Sequence, residues 1–377
     1  MGKWGHYRPT YPASRVLLKS GQTEKSALTE YYLLMPKVQV IIPNWNGLPF
    51  LKRCLDALVR QTYQDFSIVV VDNGSTDNSI VWLRENMPSV HVIVNPTNRG
   101  FAAAVNQGIR ASSSEFIATL NNDTEPEPGW LEALVRAAES DNRVGMCASK
   151  MLFADQPHII NSAGISIDPV GIAWDYRGGE QDRPDQEKGP TEVFGPCAGA
   201  ALYRRGMLEE IGLFDEDFFA YLEDVDLAWR ARLAGWQAIY VPAARVYHFH
   251  SATLGEGSSF KSFLLGRNKV WLILKNYPMP WLAYYLPLIL IYDLFAIFYA
   301  IVARRDFHAL QGRVVALSKW SIIWQKRRQV QSLRRIAPNE WQKLLAPLEP
   351  PWKVPKRYQH LRNLASMRKQ TTLAGRA

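Results

Sequence analysis

Five short runs rich in β-forming residues, VQVIIP, SIVVVD, HVIVN, FIATLN and VGMCAS, alternate with helical patterns between residues 38 and 149. Between the first two lies LPFLKRCLDALVRQ, whose Phe50, Leu51, Cys54, Leu55, Leu58 and Val59 fall on one helical face. This alternation predicts a parallel sheet covered by helices. Ligands of such sheets sit beyond the carboxyl ends of the strands, so the polar residues that stop these runs are the candidates for chemistry.

The first run stops at PNWNG, with Pro43, Asn44 and Asn46, and the second at DNGSTDNS, with Asp72 and Asn73. As turn formers these residues need no further role. As a nucleotide site, Asp72 would accept from a base ring N–H while Asn44 and Asn46 contact base or ribose. The third run leads into NRGFAAAVNQGI, where Gly100 permits close backbone approach. A small-residue helix there would offer N–H groups to a phosphate beside Arg99; a tight turn is the plainer reading. Neither G-x-G-x-x-G nor G-x-x-x-x-G-K-[ST] is present.

The fourth run ends in NNDTEP, placing Asn121, Asn122 and Asp123 at a strand exit. A carboxylate there suits Mg²⁺ or Mn²⁺ with a diphosphate completing the shell. YHFHSAT supplies a second ligand in His248 or His250, which share a face if the strand continues. The stretch FDEDFFAYLEDVDLAWR sets Glu223, Asp224 and Asp226 near a helix start, with Gly235 a stop. Acids favour that turn, and Asp226 with Arg230 is an i,i+4 pair. The aromatic residues before them would raise a carboxyl pKa toward general-base work.

VFGPCAGAALYRR reads as a strand, and Gly199, with Ala198 and Ala200, makes part of it small-sided. The Gly-, Pro- and charge-rich segment at 176–190 is expected to be a mobile surface loop, folding over substrates with Trp174 and Tyr176.

Trp281 to Ala303 runs for 23 residues with one charge, Asp293, long enough to span a bilayer at about 1.5 Å per residue. From Arg304 onward stand 17 Lys and Arg against 3 Asp and Glu, a net of +14, leaving residues 1–303 at a net of −5. That basic tail suits anionic headgroups, and nothing resembles a nucleic-acid motif. A catalytic part and a tail both on the cytoplasmic side exclude a single crossing. The alternatives are a re-entrant hairpin bent near Pro287, helices lying in the interface, or a buried helix of a soluble domain. Cys54, Cys147 and Cys197 are odd in number and lack C-x-x-C spacing, which points to a reducing compartment. RVLL at 15–18 is too short for a signal-peptide core.

In order, VIIPNWNG, VVVDNGSTDNS, NRGFAAAVNQGI, LNNDTE, CAGAALYRR, FFAYLEDVDLAWR and VYHFHSAT resemble the family 2 inverting glycosyltransferases, in particular the bacterial rhamnosyltransferase-like branch, over about residues 38–255. The resemblance implies an α/β GT-A fold, Rossmann-like with a mostly parallel sheet, followed by a C-terminal hydrophobic membrane-associating helical region. It implies a nucleotide-diphosphate sugar donor, dTDP-rhamnose favoured over UDP- or GDP-sugars, and a divalent metal, Mn²⁺ or Mg²⁺. Asp72 becomes the base-binding acid, Asp123 the last position of the D-x-D metal element, and Asp224 the general base with Glu223 its neighbour. His248 matches the family's histidine and is preferred to His250. Donor contacts fall to Pro43, Asn44, Asn46, Asp72, Asn73, Arg99, Gly100, Asn122 and Gly199. Asn121 replaces the first acid of D-x-D, leaving the metal to Asp123 and the histidine.

The division expected is an extension at 1–37, a catalytic domain at 38–260 with halves at 38–125 and 126–260, a membrane-associating region at 261–325 and a basic tail at 326–377. The acceptor implied is a saccharide or polyprenyl-linked saccharide at the cytoplasmic face of a bacterial inner membrane, in cell-envelope polysaccharide synthesis. Absence of Q-x-x-R-W argues against a polymer-extruding synthase. The competing readings are a nucleotidyltransferase and a non-catalytic nucleotide-sugar-binding membrane scaffold.

Overall fold

The computed structural model describes residues 36–249 and 258–354. Strands β1 (Val38–Asn44), β2 (Phe66–Asp72), β3 (His91–Val94) and β4 (Phe116–Leu120) run parallel in the spatial order β4-β1-β2-β3. Helices α1 (Leu48–Val59), α2 (Ser79–Asn86) and α3 (Phe101–Arg110) connect them. β1 and β4 are almost wholly buried, as continuous apolar runs in a parallel sheet must be. On α1 the buried face is Leu51, Cys54, Leu55, Ala57 and Leu58; Val59, expected on it, is 67% exposed.

Beyond β4 come β5 (Thr124–Pro126), α4 (Trp130–Glu139), β6 (Val144–Phe153), β7 (Gln156–Ser162) and a separate hairpin of β8 (Ile165–Ile167) and β9 (Ala173–Asp175). Then follow β10 (Thr191–Glu192), β11 (Ala200–Arg204), α5 (Arg205–Ile211), α6 (Glu223–Leu233) and β12 (Gln237–His248). The main sheet has the order β10-β12-β6-β11-β4-β1-β2-β3, with β5 on β12 and β7 on β6. It is mixed. β12 runs parallel to β6, but β11 is inserted antiparallel between β4 and β6. The strand expected across VFGPCAGAALYRR is confined to Ala200–Arg204, because the preceding residues press against α6: a Cβ on Gly195 would lie 2.3 Å from that of Ala228.

The segment 176–190 is not a free loop, and this corrects the expectation of a mobile lid. Lys150, 1% exposed, lies 2.8 Å from Asp182 and 2.9 Å from Glu187. Arg245 reaches Asp182 at 2.9 Å and Arg177 reaches Glu187 at 2.9 Å. Backbone bonds from Gly179 to Ile160 and from Asp182 to His158 stitch the segment to β7. Asp182 and Glu187 face inward because a buried ammonium requires them, while Glu180 and Asp185 stay exposed.

The C-terminal part is helical: α7 (Ser259–Asn276), α8 (Met279–Arg304), α9 (His308–Ser318), α10 (Trp320–Ser332) and α11 (Pro338–Gln342). Helices thus continue past residue 325. α8 runs unbroken through Pro287, so there is no hairpin bent at that residue. A proline removes one backbone donor, whereas a stripe of Leu282, Ile289, Tyr292 and Ala300 buries against the protein. The opposite side is uncovered, with Tyr284, Leu290, Ile291, Leu294, Phe298 and Val302 all more than half exposed. Asp293 turns inward to Lys269 of α7 at 2.8 Å and Arg313 of α9 at 2.7 Å. α7 and α9 cross at backbone contact: a Cβ on Gly266 would lie 2.3 Å from the Ala309 carbonyl oxygen, and one on Gly312 2.1 Å from that of Phe263.

Candidate active site

The carboxyl ends of β1 and β2 are joined by side chains. Asp72 is fully buried; its Oδ1 accepts from the Ser75 N–H at 2.8 Å, and its Oδ2 from the Ser75 hydroxyl at 2.7 Å and the Asn44 amide at 2.9 Å. Asn122 donates to Asn44 Oδ1 at 2.7 Å, which carries the link to the exit of β4. Asn46, at φ 51, accepts from the Thr76 N–H at 2.7 Å. Asn73 donates to the Gly100 carbonyl at 3.1 Å. These residues, expected to face a nucleotide, also bond one another across the strand ends. Gly47 was missed as a site residue: a Cβ there would lie 2.1 Å from Asn122 Nδ2.

At the start of α3 one backbone N–H, that of Ala102, has a partner within the protein. The Phe219 carbonyl accepts from the Ala102 N–H at 3.4 Å, and Gly100, at φ +85, has no room for a Cβ, which would fall 2.5 Å from that oxygen. Arg99 leans to Glu216 at 3.8 Å.

Asp123 and His248 do come together. His248 Nε2 lies 3.3 Å from Asp123 Oδ1, and Nδ1 lies 2.8 Å from Asn161 Oδ1. β5 and β12 pair antiparallel with His248 opposite Thr124, and this register brings the histidine beside the turn. A carboxylate and an imidazole oriented from behind fit a divalent cation that takes its other ligands from diphosphate and water. Among the described residues there is no cluster of three or more ligating side chains. His250 lies outside the described residues.

Glu223 and Asp224 open α6, preceded by a turn in which Phe219, Tyr221 and Leu222 have φ of 64°, 68° and 67°. Left-handed backbone costs about 1–2 kcal/mol per non-glycine residue, and such outliers cluster at functional sites. Asp224 accepts from the Val225 N–H at 2.8 Å and the Ala198 N–H at 3.2 Å. Burial pushes its carboxyl up to about 6 against the pull of those two bonds, with the charge of Asp175 adding to the rise. Glu223 is pushed well above the usual carboxylate range, first by burial and then by the charge of Asp224. Its Oε2 is buried without a hydrogen-bond partner. Asp226 is structural: fully buried, it binds Arg230 at 2.9 Å and Lys275 at 2.7 Å.

One short segment touches both Asp224 and the turn that bears Asp123. The Ala198 N–H donates to Asp224, and the next residue, Gly199, accepts from the Asn121 N–H at 2.8 Å. Gly199 does not leave open space; its missing Cβ would touch Asn121 Nδ2 at 3.2 Å and Met151 at 3.3 Å. The glycine lets the turn bearing Asp123 close onto the segment that meets Asp224. Asp175, at the end of β9, is a further acid near Asp224 that sequence reasoning missed, since no motif surrounds it.

Residues 39–212 match the family described as glycosyl transferase family 2. A Mycobacterium tuberculosis protein named N-acetylglucosaminyl-diphospho-decaprenol L-rhamnosyltransferase is 28% identical over 244 residues, covering 57% of this chain and 77% of that protein. An uncharacterized glycosyltransferase of Nostoc sp. is 32% identical over 178 residues, 46% of this chain and 53% of the relative. The solved structure of GalNAc-T7 with UDP, GalNAc and Mn²⁺ superposes with a TM-score of 0.51 at 18% identity, over 64% of this chain and 48% of that one; the likeness is one of fold.

Proposed function

We propose that this chain, whose residues 39–212 match the family described as glycosyl transferase family 2, moves a sugar, with inversion, from a nucleotide diphosphate to a hydroxyl of a lipid-linked saccharide. dTDP-rhamnose is the favoured donor, in keeping with the name of the mycobacterial relative. The reading is carried by the link through residues 198 and 199 between Asp224 and the turn bearing Asp123.

Asp224 takes the proton of the acceptor hydroxyl. The freed oxygen pair forms a bond to the anomeric carbon from the face opposite the nucleotide, and the bond from that carbon to the diphosphate breaks, releasing the nucleoside diphosphate. A pKa near 6 suits a base at neutral pH. Glu223, its carboxyl pushed well above the usual carboxylate range by burial and by the charge of Asp224, stands beside the base. Asp123 and His248 would hold the divalent ion, which when bound supplies Lewis-acid stabilisation of diphosphate charge. Asn44, Asp72, Asn73 and Asn122 fix the strand-end turns on which the base and ribose rest, with Pro43 and Asn46 at their rim. Arg99, Gly100 and Gly199 complete the donor side.

The exposed face of α8 and the exposed Arg304, Arg305, Lys319 and Arg328 support seating on an anionic membrane surface, at the cytoplasmic face if the acceptor is a polyprenyl-linked saccharide. The domain limits at 38–125, 126–260 and 261–325 remain part of this reading. Asp224→Asn is the test. Retained donor binding with lost transfer is expected; unchanged transfer rejects the assignment.

A further inference from the structure

α7 holds the segment that carries the two carboxylates, and it does so through four polar side chains. Asn268, fully buried, has its Nδ2 at 3.0, 2.9 and 2.8 Å from the carbonyl oxygens of Phe218, Ala220 and Tyr221. Arg267 Nη2 donates to the carbonyls of Asp217 at 2.8 Å and Phe218 at 2.9 Å, and its Nε to Asn268 Oδ1 at 2.9 Å. Two turns further on, Lys275 meets Asp215 at 2.6 Å and Asp226 at 2.7 Å, and Asn276 donates to Asp226 at 2.8 Å. Both ends of residues 215–226 are therefore fastened to one helix.

The part between these fastenings is the strained part. A run with three left-handed non-glycine residues in four positions persists only where its surroundings over-determine it. Here the carbonyls that such a turn throws to one side converge on a single amide group. An amide N–H₂ has two hydrogens and no acceptor on that nitrogen, so it reads a cluster of carbonyls and nothing else.

We propose that Asn268 is the positioning residue of the reaction: it holds the Phe219–Leu222 turn and thereby sets Glu223 and Asp224, so that catalytic geometry depends on α7 being docked. The proposal rests on the reading of Asp224 as the base. It ties the active site to the apolar helix, because the residue after Asn268, Lys269, is the one that pairs with Asp293 of α8.

The test uses the full chain with Asn268→Ala, Asn268→Asp and Asn268→Gln, assayed with dTDP-rhamnose, N-acetylglucosaminyl-diphospho-polyprenol and Mn²⁺. Asn268→Ala is expected to lower kcat about 100-fold, the scale of a small misplacement of reacting groups, with the donor KM little changed and the Tm lowered without loss of the fold. Asn268→Asp, which sets a carboxylate against three carbonyls, is worse, and Asn268→Gln recovers part of the rate. Amide hydrogen exchange across residues 219–226, which needs no substrate, is faster in Asn268→Ala than in the parent. Wild-type kcat or unchanged exchange in Asn268→Ala overturns the proposal, as does a loss of kcat matched by a collapse of Tm that Asn268→Gln fails to repair. Asp224→Asn in the same assay separates the two ideas: if it transfers normally the base reading fails, and if it is inert while Asn268→Ala is fully active only the clamp fails.

Discussion

His248 Nε2 stands 3.3 Å from Asp123 Oδ1, while the other ring nitrogen of His248 is engaged by Asn161 at 2.8 Å. The histidine is thus oriented from behind toward a carboxylate that lies 125 residues earlier in the chain. Replacing Asn161 with Ala is expected to weaken Mn²⁺ activation by about 10–100-fold without changing the maximal rate at saturating metal. Titration of transfer against Mn²⁺ checks this, and an unchanged titration would remove the metal role of His248.

The pH dependence follows from Asp224. With its carboxyl pushed up to about 6 by burial, kcat/KM should fall tenfold per pH unit below about 6 and level off above it. Stability runs the other way. A folded-state pKa above the unfolded value contributes stability that is complete below the unfolded pKa and is lost as pH rises through 6. Asp224→Asn should therefore raise the Tm at pH 8 and change it less at pH 4. Melting curves at the two values decide the sign.

Gly47→Ala tests the bridge between the strand ends. The new methyl would fall 2.1 Å from Asn122 Nδ2 and push that amide off Asn44. Donor affinity should drop about tenfold, corresponding to roughly 1.4 kcal/mol, with the circular dichroism spectrum preserved. Donor titration by calorimetry measures it.

Lys150→Met addresses the segment 176–190. Removing the ammonium strips a partner from both Asp182 and Glu187, and breaking a buried ion pair typically costs about 3–5 kcal/mol. Arg177 and Arg245 retain part of the pairing, so a loss near the lower figure is expected in chemical denaturation. A Tm equal to that of the parent would show that the segment is not held by this network.

For the membrane surface, Leu290→Glu with Leu294→Glu and Phe298→Glu puts three charges on the uncovered side of α8. Co-sedimentation with phosphatidylglycerol vesicles should fall severalfold while donor binding is kept. Equal sedimentation would mean that this face does not meet lipid.

Much of this was legible in the chain because strands and their exits are local. FIATLN ends at Leu120 in the structure, as the asparagines require, and Gly235 follows the helix it was expected to stop. Glu223 and Asp224 open a helix as their position suggested. What was hidden is settled between distant residues. Nothing in the run AALYR shows that it enters the sheet antiparallel. The loop at 176–190 looked solvated because its composition is polar, and it takes Lys150 and Arg245, far away in sequence, to explain why Asp182 faces inward. A sequence also cannot show that Asn44 donates to Asp72 across the strand ends.

The strained turn before Glu223 is held by residues that follow it by about fifty positions, at 267 and 268. During synthesis the sheet can therefore close before the turn has its partners, since α7 emerges from the ribosome seconds later at about 5–20 residues per second. A chain cut short before residue 267 would keep the strands and the carboxylates while lacking what aligns them. The residues that hold the turn and the apolar face of α8 therefore leave the ribosome in succession, after the last strand of the sheet.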